Sequence, residues 1–242
     1  QALENFGVPF SVERKEGGAW SAVDWHTLEQ AEPGNVRFRM VPAMYRAGRY
    51  AVEGDWSGAS YLLAAGAIGP RPVRIEGLRA DSLQGDRVML DILRDMGARI
   101  DIEPDAVTVH PSELRGVVAD MSRCPDLVPT VAAHASGPTR LWNAAHLRIK
   151  ECDRIAVPAQ ELSKVGVRCD EHDDGLTIHG DPALASRLHS LDGIAFSAHG
   201  DHRIAMSLAL LELRGGRLTL DDPSCVSKSF PNFWECWGQV RV

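Results

Sequence analysis

The stretch "RIKECDR", residues 148–154, sets three cations (Arg148, Lys150, Arg154) and two carboxylates (Glu151, Asp153) around one cysteine. Further along, "GDHR" (200–203) places His202 beside Arg203 and "SKSF" (227–230) offers Lys228, while upstream "CPDLV" (124–128) puts Asp126 ahead of an apolar run. Guanidinium groups present planar, paired donors that an ammonium cannot reproduce, and carboxylates held among cations suit proton transfer. The formal charge of -7 and a pI near 5.7 argue against a general nucleic-acid or anionic-membrane surface, because phosphate-backbone binders carry a basic face. Local basic clusters are therefore read as sites for small anions.

Within the first motif, Lys150 and Arg154 are four apart and would share a helix face if a helix starts by Lys150. Glu151, among Arg148, Lys150 and Arg154, is expected to have a depressed pKa. Asp153 is expected to do no more than hold an arginine in place. Asp126, after a proline and before an apolar helix, reads as an N-cap. Cys152 reads as a small buried side chain.

These residues need elements to position them, and the chain is long enough to supply them. With 242 residues, 44% hydrophobic and 24% charged, it is expected to form one large or two modest globular units. The apolar run "YLLAAGAIG" is far shorter than the roughly 20 residues of a membrane span. Five cysteines, odd in number and without a C-x-x-C pair, indicate neither a disulfide framework nor a zinc site, so a reduced, cytoplasmic setting is expected. The opening "QALENFG" carries no leader-like pattern and reads as the middle of a helix.

A repeat organises the chain. "LENFGVPFSVER", "LRDMGARIDIEP" and "LSKVGVRCDEHD" each place a leucine (Leu3, Leu93, Leu162) four positions before a glycine (Gly7, Gly97, Gly166). Each reads as a helix end at which glycine takes the left-handed conformation, followed by a strand. A second strand is expected after each, at 20–25, 106–110 and 176–180. Between these units lie small-residue helices whose first turns carry Asp55, Ser57 and Ser60, then Asp126, then Asp201, His202 and Arg203. Helix N-termini facing one surface would make a cradle for anionic ligands. The "FWECW" stretch at 233–237 reads as a terminal helix packing its rings into the domain.

In this order, "RIKECDR", "GDHRIAM" and "CVSKSFPNF", supported by "VEGDWSGASYLLAAGAI", "SLQGD" and "CPDLVPT", resemble the C-terminal half of the 5-enolpyruvylshikimate-3-phosphate synthases. The resemblance runs over nearly the whole chain. It implies an α/β (α+β) enolpyruvyl transferase fold of repeated βαβαββ units, with helices packed inside the sheets and their N-termini facing a cleft. Residues 1–50 would then be the tail of an N-terminal domain with a linker, and 51–242 the C-terminal domain. The family's N-terminal motifs are not identifiable here, so the chain is expected to act only when paired with an N-terminal half as a separate polypeptide. The activity implied is transfer of the carboxyvinyl group of phosphoenolpyruvate to the 5-hydroxyl of shikimate 3-phosphate, a step of aromatic amino-acid biosynthesis and the target of glyphosate. No metal or cofactor, nucleic acid or membrane is expected to take part.

By the same resemblance, Arg154, Arg203 and Lys228 bind phosphoenolpyruvate, the arginines at its carboxylate and Lys228 at its phosphate. Asp126 and Glu151 are the catalytic pair, with Asp126 also touching the shikimate 3-phosphate hydroxyls and Lys150 lying on that substrate's phosphate side. His146 stands where many members have asparagine, and its imidazole splits donor and acceptor between two nitrogens. His202 either orients the ligand or packs beneath it. Residues 26–48 look longer than the family's usual link and are expected to form a loop or insertion. Two other readings remain open: a relative acting on a UDP-sugar in cell-wall synthesis, and a non-catalytic anion-binding or assembly module.

Overall fold

Three helices of the chain end in the same way, and the hydrogen bonds explain the repeated glycine. In the computed structural model, which describes residues 1–28, 31–32, 34–134, 137–180 and 192–241, Gly7, Gly97 and Gly166 have φ of 68°, 102° and 79°. In each case the N–H after the glycine donates to the repeat leucine: Val8 to Leu3 O (2.9 Å), Ala98 to Leu93 O (2.8 Å), Val167 to Leu162 O (3.2 Å). The glycine N–H donates to the residue after that leucine, at Glu4, Arg94 and Ser163. This is the Schellman arrangement, whose left-handed residue meets a steric penalty if it carries a Cβ.

The chain divides into two compact units, Gln1–Val52 and Glu53–Val242. In the first, helix α1 (Ala2–Asn5) precedes strands β1 (Phe10–Glu16), β2 (Ala19–Val23) and β3 (Val36–Met40), paired antiparallel in the order β2-β1-β3. Gly17 and Gly18, with φ of 57° and 87°, make the two-residue β1–β2 turn, whose left-handed positions match the twist of the strands. The expected loop or insertion at 26–48 is corrected in part, because it contains β3, registered on β1 with Val12 opposite Phe38. Arg37 and Arg39 both donate Nε to Glu13 at 2.6 Å, and Arg37 lies 4.2 Å from the centre of the Trp20 ring. Those cross-strand charges pin β3 to its neighbour, a pairing invisible in a local reading of polar residues.

The second unit holds two related sheets and a small-residue interior. Helix α2 (Trp56–Ile68) and strand β4 (Val73–Glu76) lead into α3 (Met89–Asp95), β5 (Arg99–Glu103) and β6 (Ala106–His110). Next come β7 (Val118–Asp120), α4 (Val128–His134), β8 (Pro138–Trp142), α5 (Ala156–Ser163), β9 (Arg168–His172) and β10 (Gly175–His179). Strand β11 (Ala195–Phe196), helices α6 (His202–Ala209) and α7 (Glu212–Gly215), β12 (Thr219–Leu220) and α8 (Phe233–Val240) complete it. The sheets share an order, β4-β6-β5 and β8-β10-β9, with β7 added parallel to β8. The stretch β7-α4-β8-α5-β9-β10 is one whole βαβαββ copy.

Helix α4 packs on both α2 and α6, and α2 also lies against β4 and β6. Helix α2 is buried on every side, Trp56, Tyr61 and Leu63 included, so it is an interior helix and lacks an amphipathic stripe. Small residues let it approach the sheet, since a Cβ on Gly66 would sit 2.8 Å from Val109 O. In α8, the buried rings of Phe233 and Trp237 stack at 5.9 Å, each burial contributing about 1.5–3 kcal/mol. No helix among the described residues is long and apolar enough to cross a membrane.

Candidate functional site

Arg154 is the centre of the site. It sits just ahead of α5, whose start Asp153 fixes by accepting the N–H groups of Ile155 (2.9 Å) and Ala156 (3.0 Å). The helix therefore begins at Ala156, and the expected shared helix face of Lys150 and Arg154 is corrected: Lys150 ends a 3-10 turn (Ala145–Ile149) in extended backbone. The alternating charges of residues 148–154 thereby separate into two groups. Arg148 turns to Asp153 (2.8 Å) and to His172 O (2.7 Å) on the β9–β10 hairpin, whereas Arg154 turns inward.

The Arg154 side chain is only 2% exposed, and its fork reaches three carboxylates. Nε donates to Asp201 Oδ2 (2.7 Å), Nη1 to Asp126 Oδ1 (2.8 Å) and Nη2 to Glu151 Oε2 (2.7 Å). Arg203 Nη2 lies 2.9 Å from Asp126 Oδ2, and Lys228 Nζ donates to Glu151 Oε1 at 2.5 Å. The outcome is a chain of alternating charge, Lys228–Glu151–Arg154–Asp126–Arg203, with Asp201 beneath it. Burial works against the charge on Arg154, but the bonds and fields of Asp201, Glu151 and Asp126 outweigh it and raise its pKa.

Asp201 has two functions at once. It is fully buried, caps α6 by accepting the N–H of Arg203 (2.9 Å), and anchors Arg154. Sequence reasoning left it out of the site; the available signal was its position as the acidic residue directly before His202 and Arg203 at a helix start. Helix α2 has a comparable cap in Asp55, which accepts from Ser57 and Gly58. Asp126 departs from the expected N-cap role: it lies inside a 3-10 turn (Pro125–Leu127), the cap position falls on Cys124 without a side-chain bond, and its carboxylate goes to the arginines.

Glu151 is held down to about 2, chiefly by the hydrogen bond from Lys228, against the opposing effect of burial and with the Arg154 charge adding to the depression. The sequence expected Arg148, Lys150 and Arg154 to do this; Arg154 contributes as expected, but the leading cation is Lys228, and Arg148 and Lys150 are not among the causes. The carboxylate is thus ionised at neutral pH. Its stabilising contribution is present above the ordinary glutamate value of 4.5 and lost as pH falls through about 2. Replacing Lys228 with methionine should move the Glu151 midpoint upward, readable from the carboxyl carbon shift in an NMR titration. An unmoved midpoint would show that Lys228 does not control it.

Burial pushes the pKa of His202 down despite Asp201, with Arg203, Arg154 and Lys228 adding to the effect, so the ring is neutral. Burial and the nearby Asp201 carboxylate push the Cys152 thiol up to about 12, which leaves no thiolate for chemistry. His146 and Lys150 are exposed, outside the ion chain, and make no hydrogen bond or ion pair among the described residues. The structure thus brings Asp126, Glu151, Arg154, Arg203 and Lys228 into contact and leaves His146 and Lys150 apart.

As it stands the cluster is neutral, with three cations against three carboxylates. Asp201 is fixed at 0% exposure, whereas the Asp126 and Glu151 side chains are each 29% exposed. An incoming anion would meet the outer two carboxylates and compete with them for Arg203 and Lys228. Such a surface can bind an anionic ligand and hold a proton-carrying group against it.

A family model described as EPSP synthase (3-phosphoshikimate 1-carboxyvinyltransferase) matches residues 30–237. The 3-phosphoshikimate 1-carboxyvinyltransferase of Methanosphaerula palustris is 42% identical over 205 residues, covering 83% of this chain and 47% of its own length. That of Methanoculleus marisnigri is 44% identical over 207 residues, covering 84% and 47%. The structure of EPSP synthase from Acinetobacter baumannii superposes with a TM-score of 0.73 at 26% identity, over 98% of this chain and 53% of that one. The enolpyruvyl transferase NikO from Streptomyces tendae superposes at 0.65 with 23% identity, over 98% and 51%, a likeness of fold alone. The chain spans about half the length of the curated relatives it matches.

Proposed function

The chain belongs to the EPSP synthase family, and on that premise we propose that it supplies the C-terminal half of a 3-phosphoshikimate 1-carboxyvinyltransferase site. Residues 51–242 would be the C-terminal enolpyruvyl transferase domain and residues 1–50 the tail of the other. The observation that carries the reading is the ion chain from Lys228 through Glu151, Arg154 and Asp126 to Arg203. The names of the curated relatives favour the shikimate branch over the UDP-sugar alternative.

In this reading Arg154 and Arg203 receive the carboxylate of phosphoenolpyruvate and Lys228 its phosphate. Lys228 must then leave Glu151, whose pKa rises as the cation is diverted and dianions arrive. Glu151, once able to hold a proton, delivers it to the methylene carbon, and the substrate 5-hydroxyl oxygen bonds to C2 as Asp126 accepts its proton. The tetrahedral adduct collapses when the C2–O bond to phosphate breaks and the new methyl group returns a proton, which restores the double bond in the product. Lys150 and His146, exposed and without a side-chain partner among the described residues, are assigned to the shikimate 3-phosphate side.

The remaining contacts would come from an N-terminal half as a separate chain. Exposed apolar side chains in the first unit, among them Phe38, Met44 and Tyr45, are what such a partner would cover. The free thiols favour the cytoplasm as the compartment.

Phosphate release from phosphoenolpyruvate and shikimate 3-phosphate, followed with and without a matching N-terminal half, tests the proposal. No turnover is expected alone, and turnover is expected when paired. Activity with UDP-N-acetylglucosamine in place of shikimate 3-phosphate would overturn it. In the paired enzyme Arg203→Lys should weaken phosphoenolpyruvate binding by about 1.5–3 kcal/mol, the range for hydrogen bonds to charged groups. An unchanged Michaelis constant for phosphoenolpyruvate would assign Arg203 a structural role.

A further inference from the structure

Glu161 is a buried charge with no part in the chemistry above, and its contacts lead back to the site. It lies on α5, is fully buried, and fills both oxygens: Oε1 with His199 Nε2 (2.9 Å), Oε2 with Lys164 Nζ (2.7 Å) and the N–H of Ser197 (3.1 Å). Lys164 Nζ also donates to Ala195 O (2.9 Å), so α5 is fastened to β11 as well as to the turn that follows it.

That turn is the segment leading into α6. His199 has φ of 51° and Gly200 of 68°, two consecutive left-handed residues of which the first carries a Cβ and resists the conformation. Its surroundings must hold it there. Asp221 also holds the turn, accepting Ser197 Oγ (2.5 Å) and the N–H of Ala198 (2.8 Å), and Ser197 Oγ accepts the N–H of His199 (3.1 Å). The residue immediately after the turn is Asp201, which receives Arg154 and caps the helix that carries Arg203. Helix α5 itself starts two residues past Arg154. One glutamate thus ties the support of Arg154 to the loop that places Asp201 and Arg203.

We propose that Glu161 is a positioning residue of the anion site, clamping the left-handed turn at His199–Gly200 so that Asp201 and Arg203 stand in register with Arg154. The proposal rests on the reading of Arg154 and Arg203 as ligands of phosphoenolpyruvate. It gives the volume of this side chain less importance than its charged oxygens, so a same-size change should act.

The test compares Glu161→Gln and His199→Asn with the wild-type chain. Asparagine tolerates positive φ but loses the ring contact, and serves if the glutamine variant does not fold. Glu212→Gln is the control, because Glu212 is nearly as buried but sits in a separate network with Trp237 Nε1 (2.7 Å) and the N–H of Leu218 (2.8 Å). Two-dimensional NMR reads the Arg154 Nε–H and Arg203 backbone N–H resonances, and calorimetry reads phosphoenolpyruvate binding. Both test variants are expected to shift the two resonances and weaken binding by about ten- to a hundredfold, the scale of a small misplacement. The control should leave the resonances in place while lowering the melting temperature. Unmoved resonances in the test variants, or equal shifts in the control, overturn the proposal. A wild-type chain that binds no phosphoenolpyruvate even when paired with an N-terminal half counts against the functional reading, and the resonances still decide the clamp.

Discussion

Arg154→Met is expected to destabilise the chain by about 3–5 kcal/mol, because it strips a buried carboxylate of its guanidinium. Asp201 is fully buried and, among the described residues, would keep only the N–H of Arg203 and the Cys152 thiol as donors. Methionine retains most of the volume, so the loss reports the uncompensated charge rather than a cavity. For a unit of this size the melting temperature should fall by roughly 6–20 °C in a circular-dichroism melt at pH 7. Adding Asp201→Asn should recover part of the loss, since replacing both members of a buried pair costs less than removing one. A fall of under about 2 °C, or no recovery in the double variant, would mean that the contact of Arg154 with Asp201 is not what holds this region together. Anion binding would be lost alongside, but stability is the cleaner measurement because it needs no partner.

Glu151→Gln should lower turnover of the paired enzyme by about 10²–10⁴-fold, the usual contribution of a positioned acid–base group. The amide can still accept from Lys228, so the ion chain is perturbed at one link only, but it cannot carry a proton to the methylene carbon. The Michaelis constant for phosphoenolpyruvate should change little. Steady-state kinetics of the two halves mixed together would check both parameters. A loss below about tenfold would remove Glu151 from proton transfer, leaving it as the group that keeps Lys228 in place before the ligand arrives. The depressed pKa of Glu151, about 2, makes the same point from the other side: held by Lys228 it carries no proton at neutral pH, so in this reading the acid forms as Lys228 is diverted.

Much of this was legible in particular residues. Gly7, Gly97 and Gly166 announced three helix ends because the left-handed backbone of a Schellman turn excludes few residues as firmly as it favours glycine, and that constraint is local. Strand β6 was read at Ala106–His110 for a similar reason, since period-two alternation needs no knowledge of the neighbour. The strand at Val36–Met40 was missed because its stabilising contacts, Arg37 and Arg39 on Glu13, lie more than twenty positions away.

The order of the charged motifs, the repeat, and the types of residue able to bind small anions were determined by the sequence itself, because backbone preference and side-chain chemistry are properties of residues and their near neighbours. Which charge meets which was decided only by the tertiary structure. Arg148 and Arg154 flank one short motif, yet one goes to the β9–β10 hairpin and the other to the buried cluster, and Asp126 gives up a helix cap for two arginines. Charges pair with whatever opposite charge folding brings within about 3 Å, at an energy that burial magnifies, and that distance bears no relation to separation along the chain.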